Sequence, residues 1–231
     1  MRLASLPNDY RALVIGASGG IGAAIADQIG IDPDCRELVR LSRRHDGLDV
    51  TDEQSVAAAA ACIEGEIHLI FCATGGLTID GVGPEKSLRQ IAPDAMMKQF
   101  ALNALGTALI LKHFVPKLVR RERSLMAFLS ARVGSIGDNR LGGWISYRAS
   151  KAALNQIVRT ASIEINRTHP QATVVGLHPG TVATKLSVNY AAGRQRMLPE
   201  ESARAMLNVL GRLGPADTGR FLAYDGTPID W

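Results

Sequence analysis

Tyr147 and Lys151 stand four residues apart in Tyr147-Arg148-Ala149-Ser150-Lys151, at the opening of an apolar run with helical spacing. That separation sets both side chains on one face of a helix. A phenol is ordinarily protonated at neutral pH (pKa about 10), and a fixed positive charge beside it favours the phenolate. The pair therefore suits proton transfer to or from an alcohol or carbonyl oxygen.

A second group is Gly16-Ala17-Ser18-Gly19-Gly20-Ile21-Gly22, set between the apolar run Ala12-Leu13-Val14-Ile15 and a helical pattern from Ile21 to Ile29. Missing side chains let backbone N–H groups approach an anion, and the helix that follows adds its positive N-terminal end. A pyrophosphate fits that chemistry. The spacing reads equally as GxxxGxG through Gly16, Gly20 and Gly22, or as GxxGxxG through Gly16, Gly19 and Gly22. After the next strand, where an NAD site would carry an Asp or Glu for the ribose hydroxyls, the chain has Ser42-Arg43-Arg44. A hydroxyl and a guanidinium at Ser42 and Arg43 suit a 2'-phosphate, so NADP(H) is expected in preference to NAD(H).

The elements that must position these residues alternate along the chain. Strands are expected at 12–15, 37–41, 67–72, 124–130, 172–177 and 220–223, by their short apolar runs. Between them, Thr51 and Gln54 make a capping box for an alanine-rich helix through Cys62, and Pro93 to Arg121 has the spacing of a long helix that Pro116 bends or interrupts. Further helices run from Tyr147 to about Arg167 and from Pro199 to about Leu213. This order predicts an α/β fold, a doubly wound parallel sheet (Rossmann-like) with helices on both faces, in a single domain over 1–231. Ligands of such sheets bind outside the carboxyl ends of the strands, where Gly16, Gly75, Ser130 and Pro179 should gather.

Composition excludes several other classes. The net charge of +4 and pI near 9.1 come from scattered basic residues, so no nucleic-acid partner is expected. Cys35, Cys62 and Cys72 form no CxxC pair, which argues against a disulfide framework or a cysteine metal site. No apolar run approaches the roughly 18 residues of a membrane span, and the N-terminus shows no targeting pattern; a soluble, cytoplasmic protein is expected.

Together, the turn at 16–22, Asn103, Tyr147 to Lys151 and Pro179-Gly180-Thr181-Val182-Ala183-Thr184 resemble the short-chain dehydrogenase/reductase family, in family order from about residue 12 to 184. The length resembles the compact single-domain branch, which favours GxxxGxG. Gly134-Ser135-Ile136-Gly137-Asp138-Asn139 and Gly142-Gly143-Trp144 are similar to the C-factor and sniffer-like carbonyl reductases.

The resemblance implies roles for these residues. Tyr147 would give a proton to a carbonyl oxygen, with Lys151 lowering its pKa and holding the nicotinamide ribose. Asn103 would support a water that relays protons to Lys151. Asp49 and Val50 fall where the family contacts adenine. Backbone near Val182 would hold the carboxamide and Thr184 would meet the phosphates, within the turn opened by Pro179 and Gly180. Where the family commonly shows Asn-Asn-Ala-Gly, this chain has Cys72-Ala73-Thr74-Gly75, with Cys72 expected as a small buried thiol. The family serine usually lies thirteen residues before the tyrosine, but position 134 is Gly; aligning Ser-Ser-x-x-Gly instead puts Ser130 at the first serine and Ala131 at the one normally catalytic. Ser130 is the expected catalytic serine, with Ser135 the alternative.

The function implied is an NADP(H)-dependent oxidoreductase moving hydride between nicotinamide and the carbonyl carbon of an aldehyde or ketone, an alcohol in reverse. An alternative of a different class is a non-catalytic NADP(H)-binding sensor on the same fold. Arg140, Trp144 and the segment Leu186 to Met197 are expected to border the substrate pocket. A homodimer or homotetramer is expected through apolar helix faces at 93–121 and on the Tyr147 helix.

Overall fold

Six short strands lie side by side, all parallel, in the computed structural model, which describes residues 3–187, 190 and 196–231. They are β1 (Tyr10–Ile15), β2 (Cys35–Leu41), β3 (Leu69–Cys72), β4 (Ser124–Leu129), β5 (Ala172–His178) and β6 (Phe221–Ala223), in the order β2-β1-β3-β4-β5-β6. From β1 the chain first builds β2 on one side and then returns to build β3 on the other. The order reverses there, and the crevice outside the carboxyl ends of β1 and β3 is the place where such sheets bind ligands.

The helices are α1 (Gly20–Gly30), α2 (Arg43–Asp46), α3 (Glu53–Ala61), α4 (Pro93–Phe100), α5 (Gly106–Phe114), α6 (Ile145–Thr168) and α7 (Pro199–Leu210). On one face of the sheet Val14, Phe71, Ala127 and Val175 pack with Ile25 of α1 and Met206 of α7. On the other, Ile15, Ile70, Phe128 and Val174 pack with Val56 of α3, Phe114 of α5 and Val158 of α6. Every residue of β3 and β4 is buried. Burial on both faces explains why these strands read as continuous apolar runs rather than alternating ones. The α/β doubly wound expectation is met.

Three local expectations are corrected. The helix expected over 93–121 is α4, a π-helical turn at Ala101–Leu105, α5, and a 3-10 turn at Val115–Lys117. Pro116, which has no N–H to continue the ladder, lies in that last turn. The cap of α3 is Asp52, whose side chain accepts from Gln54 N at 3.0 Å; Thr51 instead gives its N–H and hydroxyl to Asp49. An acidic side chain next to the first turn outcompetes the hydroxyl one residue earlier. Finally, Ser42 caps α2, a single turn that the sequence pattern did not announce.

Candidate active site

The glycine turn is held by contact. Gly16 has φ +88°, and a Cβ there would lie 2.9 Å from the carbonyl carbon of Ala73. At Gly22 a Cβ would meet the Gly16 oxygen at 2.1 Å, and at Gly20 it would press on Thr184 Cγ2 at 3.0 Å. Gly19 would make only an ordinary 3.5 Å contact. The steric demand therefore falls on Gly16, Gly20 and Gly22, the GxxxGxG reading. No side chain caps α1, so its first N–H groups are left to an anion.

Beyond this turn opens a cleft of about 510 Å³. Ser18, Gly19, Gly20, Ile21 and Gly22 form one side of its lining; Ala73, Thr74 and Gly75, at the end of β3, also line it. Arg44 lines it too, whereas Ser42 and Arg43 do not. The Ser42 hydroxyl accepts from His45 N at 3.2 Å and donates to Asp46 at 3.1 Å. Asp49 and Val50 also stay out of the lining: Thr51 holds the Asp49 carboxyl below its usual range, and Val50 is buried against Gly106. Cys72 is buried 3.2 Å from the Thr74 hydroxyl, and burial pushes its thiol pKa up. It is a small buried thiol.

A second cavity, of about 420 Å³, adjoins the first. Ile21, Ser130, Tyr147, Pro179, Thr184 and Leu186 line both. Arg140, Trp144, Gly180 and Val182 line the second alone. Of the expected border segment, residues 188, 189 and 191–195 lie outside the described residues.

Tyr147 and Lys151 are buried on α6, 8% and 3% exposed. Against the expectation of a lowered Tyr147 pKa, burial moves the phenol above its ordinary value. Lys151 is itself desolvated, pushed down to about 8, and its Nζ is turned to the Leu129 carbonyl at 3.0 Å. Burial dominates both groups because each disfavours its charged form there.

Asn103 lies in the π-helical turn, a distortion that recurs at functional sites. Its Oδ1 accepts from Gly76 N at 3.0 Å, and its amide donates to Gly76 O, Gln99 and Ser150. A Cβ on Gly75 would stand 3.0 Å from both Asn103 Oδ1 and Lys151 Nζ, so the two polar groups converge on that glycine. The candidate serines separate. Ser130 lines both cavities, with its hydroxyl on Asn155 Oδ1 at 2.6 Å. Ser135 lines neither, and accepts from Asp138 N in a turn.

Four residues of the site lacked a reading from sequence. Arg44 lines the cleft where its neighbour Arg43 is expected. Glu85, buried, accepts from Ser146 N at 3.2 Å and from the Ser146 hydroxyl, while its backbone oxygen accepts from Trp144 N at 2.5 Å. It thereby caps α6 next to Tyr147, across 61 residues of chain, and no local pattern marks such a contact. Asn155 stands one turn after Lys151, a spacing that could have marked it. His178, at the end of β5, lines the second cavity. Among the described residues no cluster could hold a metal ion, and no helix is long and apolar enough to cross a membrane.

Residues 10–195 match the family described as short chain dehydrogenase. The chain is 31% identical over 232 residues to 1-hydroxy-2-glutathionyl-2-methyl-3-butene dehydrogenase of Rhodococcus sp. (strain AD45), covering 95% of this chain and 98% of that one. It is 38% identical over 138 residues to C-signal of Myxococcus xanthus, covering 59% of this chain and 78% of the other. Its fold is similar to NADPH-bound carbonyl reductase from chicken fatty liver, with TM-score 0.83, 24% identity and coverage of 99% and 96%.

Proposed function

The chain belongs to the short-chain dehydrogenase family and is an oxidoreductase; we propose that it uses NADP(H) to interconvert an aldehyde or ketone with its alcohol, with Tyr147 as proton donor and acceptor. The observation that carries this reading is the position of Tyr147 on the wall shared by two cavities, one lined by the glycine turn and the other fit for a small substrate.

The glycine turn fits a dinucleotide: Ser18 to Gly22 line the cleft, packed too closely at Gly16, Gly20 and Gly22 for side chains, and the start of α1 carries no side-chain cap. Arg44 would take the 2'-phosphate, Thr184 the pyrophosphate side, and the backbone near Val182 the carboxamide. When bound, the cofactor supplies the hydride. Tyr147, kept protonated by burial, donates its proton to the carbonyl oxygen as the carbon is reduced. Lys151, poised near neutrality, resupplies that proton along the path it shares with Asn103. Carbonyl, NADPH and one proton thus give alcohol and NADP+. Ser130 presents its hydroxyl oxygen on the shared wall, oriented by Asn155.

The NADPH bound by the chicken liver enzyme and the place of Arg44 in the cleft both favour NADP(H). The Rhodococcus relative is named for a glutathionyl alcohol, so such an alcohol with NADP+ belongs in the test beside small aldehydes and diketones with NADPH or NADH. Nicotinamide absorbance reads the result. Consumption of NADPH that Tyr147→Phe removes is expected. Tight NADPH binding with no consumption by the unaltered protein would favour a sensor, a reading kept in view by the methyl group at Ala131 and by the Ser130 hydroxyl held on Asn155.

The same reading includes a homodimer or homotetramer. Met97, Leu105 and Ile163 are exposed on α4, the π-helical turn and α6, and a groove of about 620 Å³ runs between α5 and α6. Light scattering on the eluting protein that gives one chain's mass would refute it.

A further inference from the structure

We propose that His178 is a further catalytic residue, whose Nε2–H donates a hydrogen bond to the carbonyl oxygen of a substrate bound beside Tyr147. The inference rests on the carbonyl-reduction reading above.

Placement comes first. β4 and β5 pair in register, Phe128 with Gly176 and Leu129 with Leu177, and Ser130 N continues the ladder to Leu177 O at 2.8 Å. Ser130 and His178 are therefore next neighbours at the strand ends, and alternation points both to the α6 face of the sheet. Consistent with that, a Cβ on Gly176 would stand 3.7 Å from Asn155 Oδ1 and 3.9 Å from Ser130 Cβ. His178 lines the substrate cavity and not the glycine-turn cleft, so the group it can meet is the substrate.

The ring's two nitrogens differ. Nδ1 is sealed from solvent and has no hydrogen-bond partner among the described residues. Nε2 is not among the sealed atoms and has no described partner either. A neutral imidazole carries one proton. Placed on Nδ1 it would be a donor with nothing to meet, whereas on Nε2 it is offered to the cavity. Burial pushes the ring's pKa down to about 4, with Arg132 acting in the same direction and Asp225 against it. At neutral pH the ring is therefore an uncharged donor, which polarises an oxygen without competing with Tyr147 to protonate it.

The site has use for such a donor. Ala131 offers only a methyl group, and the Ser130 hydroxyl proton lies on Asn155 Oδ1. Arg148, which also lines the cavity, gives its Nε–H to the Gly143 carbonyl and an Nη1–H to the Val133 carbonyl. With the Ser130 hydroxyl engaged by Asn155, His178 is placed to offer a proton to the substrate oxygen.

The test compares His178→Leu, His178→Gln and the unaltered protein with NADPH and the best carbonyl from the panel. Loss of one preorganised donor to a developing oxyanion costs on the order of a hundredfold in kcat; that loss is expected in His178→Leu, with NADPH binding unchanged by fluorescence titration. His178→Gln, whose amide can again donate, should recover about tenfold of it. Nitrogen-15 spectra of the ring should show the Nε2–H tautomer between pH 6 and 8. A His178→Leu variant within twofold of the unaltered kcat, a Gln variant no better than Leu, or an Nδ1–H tautomer would each overturn the proposal. No turnover by the unaltered protein would instead overturn the reductase reading beneath it.

Discussion

Glu85 reaches across the start of α6 to accept a hydrogen bond from Ser146 N at 3.2 Å, one residue before Tyr147. Its other carboxylate oxygen takes the Ser146 hydroxyl. A buried anion at a helix N-terminus satisfies free N–H groups and complements the dipole. Burial works to raise this carboxyl's pKa, and the hydrogen bonds from Ser146 outweigh it, so the group is held below its usual value. Removal of such a cap costs about 1–2 kcal/mol. Glu85→Ala should lower the thermal midpoint by several degrees and reduce kcat more than it raises KM for NADPH. Glu85→Gln should restore most of the stability. Calorimetry and steady-state kinetics on both variants check this; an unchanged midpoint in Glu85→Ala would remove the cap from the account.

Tyr147→Phe deletes the acid and little else. Positioned acids contribute roughly 10²–10⁴-fold, so kcat should fall by about a thousandfold while the NADPH dissociation constant stays within about threefold. A variant that keeps a tenth of the activity would place the proton source elsewhere.

Lys151 links rate and stability to pH in opposite ways. Its pKa is lowered to about 8 in the folded chain from an ordinary 10.5. On the proposed mechanism, in which the Lys151 ammonium resupplies Tyr147, kcat for carbonyl reduction should fall as pH rises through about 8. For stability, the unfolded chain binds more protons between 8 and 10.5, so this residue makes the fold more stable as pH rises across that window. Below 8 the full cost of burying the charge is present. Lys151→Met should therefore abolish turnover yet stabilise the cofactor-free protein by about 2 kcal/mol at pH 7, the roughly 3 kcal/mol cost of burying the charge less the hydrogen bond to Leu129, with the gain fading towards pH 10.5. Urea unfolding of both proteins at pH 7 and 10 measures it.

Arg44 lines the glycine-turn cleft and Arg43 does not. Charge-assisted hydrogen bonds are worth about 1.5–3 kcal/mol, so Arg44→Ala should weaken NADPH binding about 10- to 100-fold and leave NADH nearly untouched. Arg43→Ala should change NADPH affinity less than threefold. Equal effects of the two substitutions would show the phosphate to lie elsewhere.

Ser130 and Ser135 are also separable. Ser130→Ala, which removes the hydroxyl that Asn155 holds on the shared cavity wall, should lower kcat by about tenfold. Ser135→Ala, which breaks only the turn bond to Asp138 N, should keep kcat and lower stability by about 1 kcal/mol. Kinetics and melting curves on the pair decide between them.

The sequence by itself determined the alternation that winds the sheet, because apolar runs and helical spacing are local and the periods of strand and helix differ. The glycine turn is legible as well, since Gly16 and Gly22 touch within one strand, turn and helix, closer than any side chain allows. The sequence placed Tyr147 and Lys151 on one helix face by spacing alone. What surrounds that face belonged to the tertiary structure. The depressed Lys151 pKa comes from burial, with its Nζ on the Leu129 carbonyl at the end of β4, and spacing says nothing of dielectric. Ser130 rather than Ser135 faces the cavities because β4 ends there and the following turn takes Ser135 inward. The hydroxyl of Ser42 suits a phosphate by type, but α2 uses it as a cap, and Arg44 lines the cleft. Glu85 meets Ser146, and His178 stands beside Ser130, only because distant segments end at the same edge of the sheet. Those contacts join residues far apart in the chain, which no period or spacing in the sequence can encode.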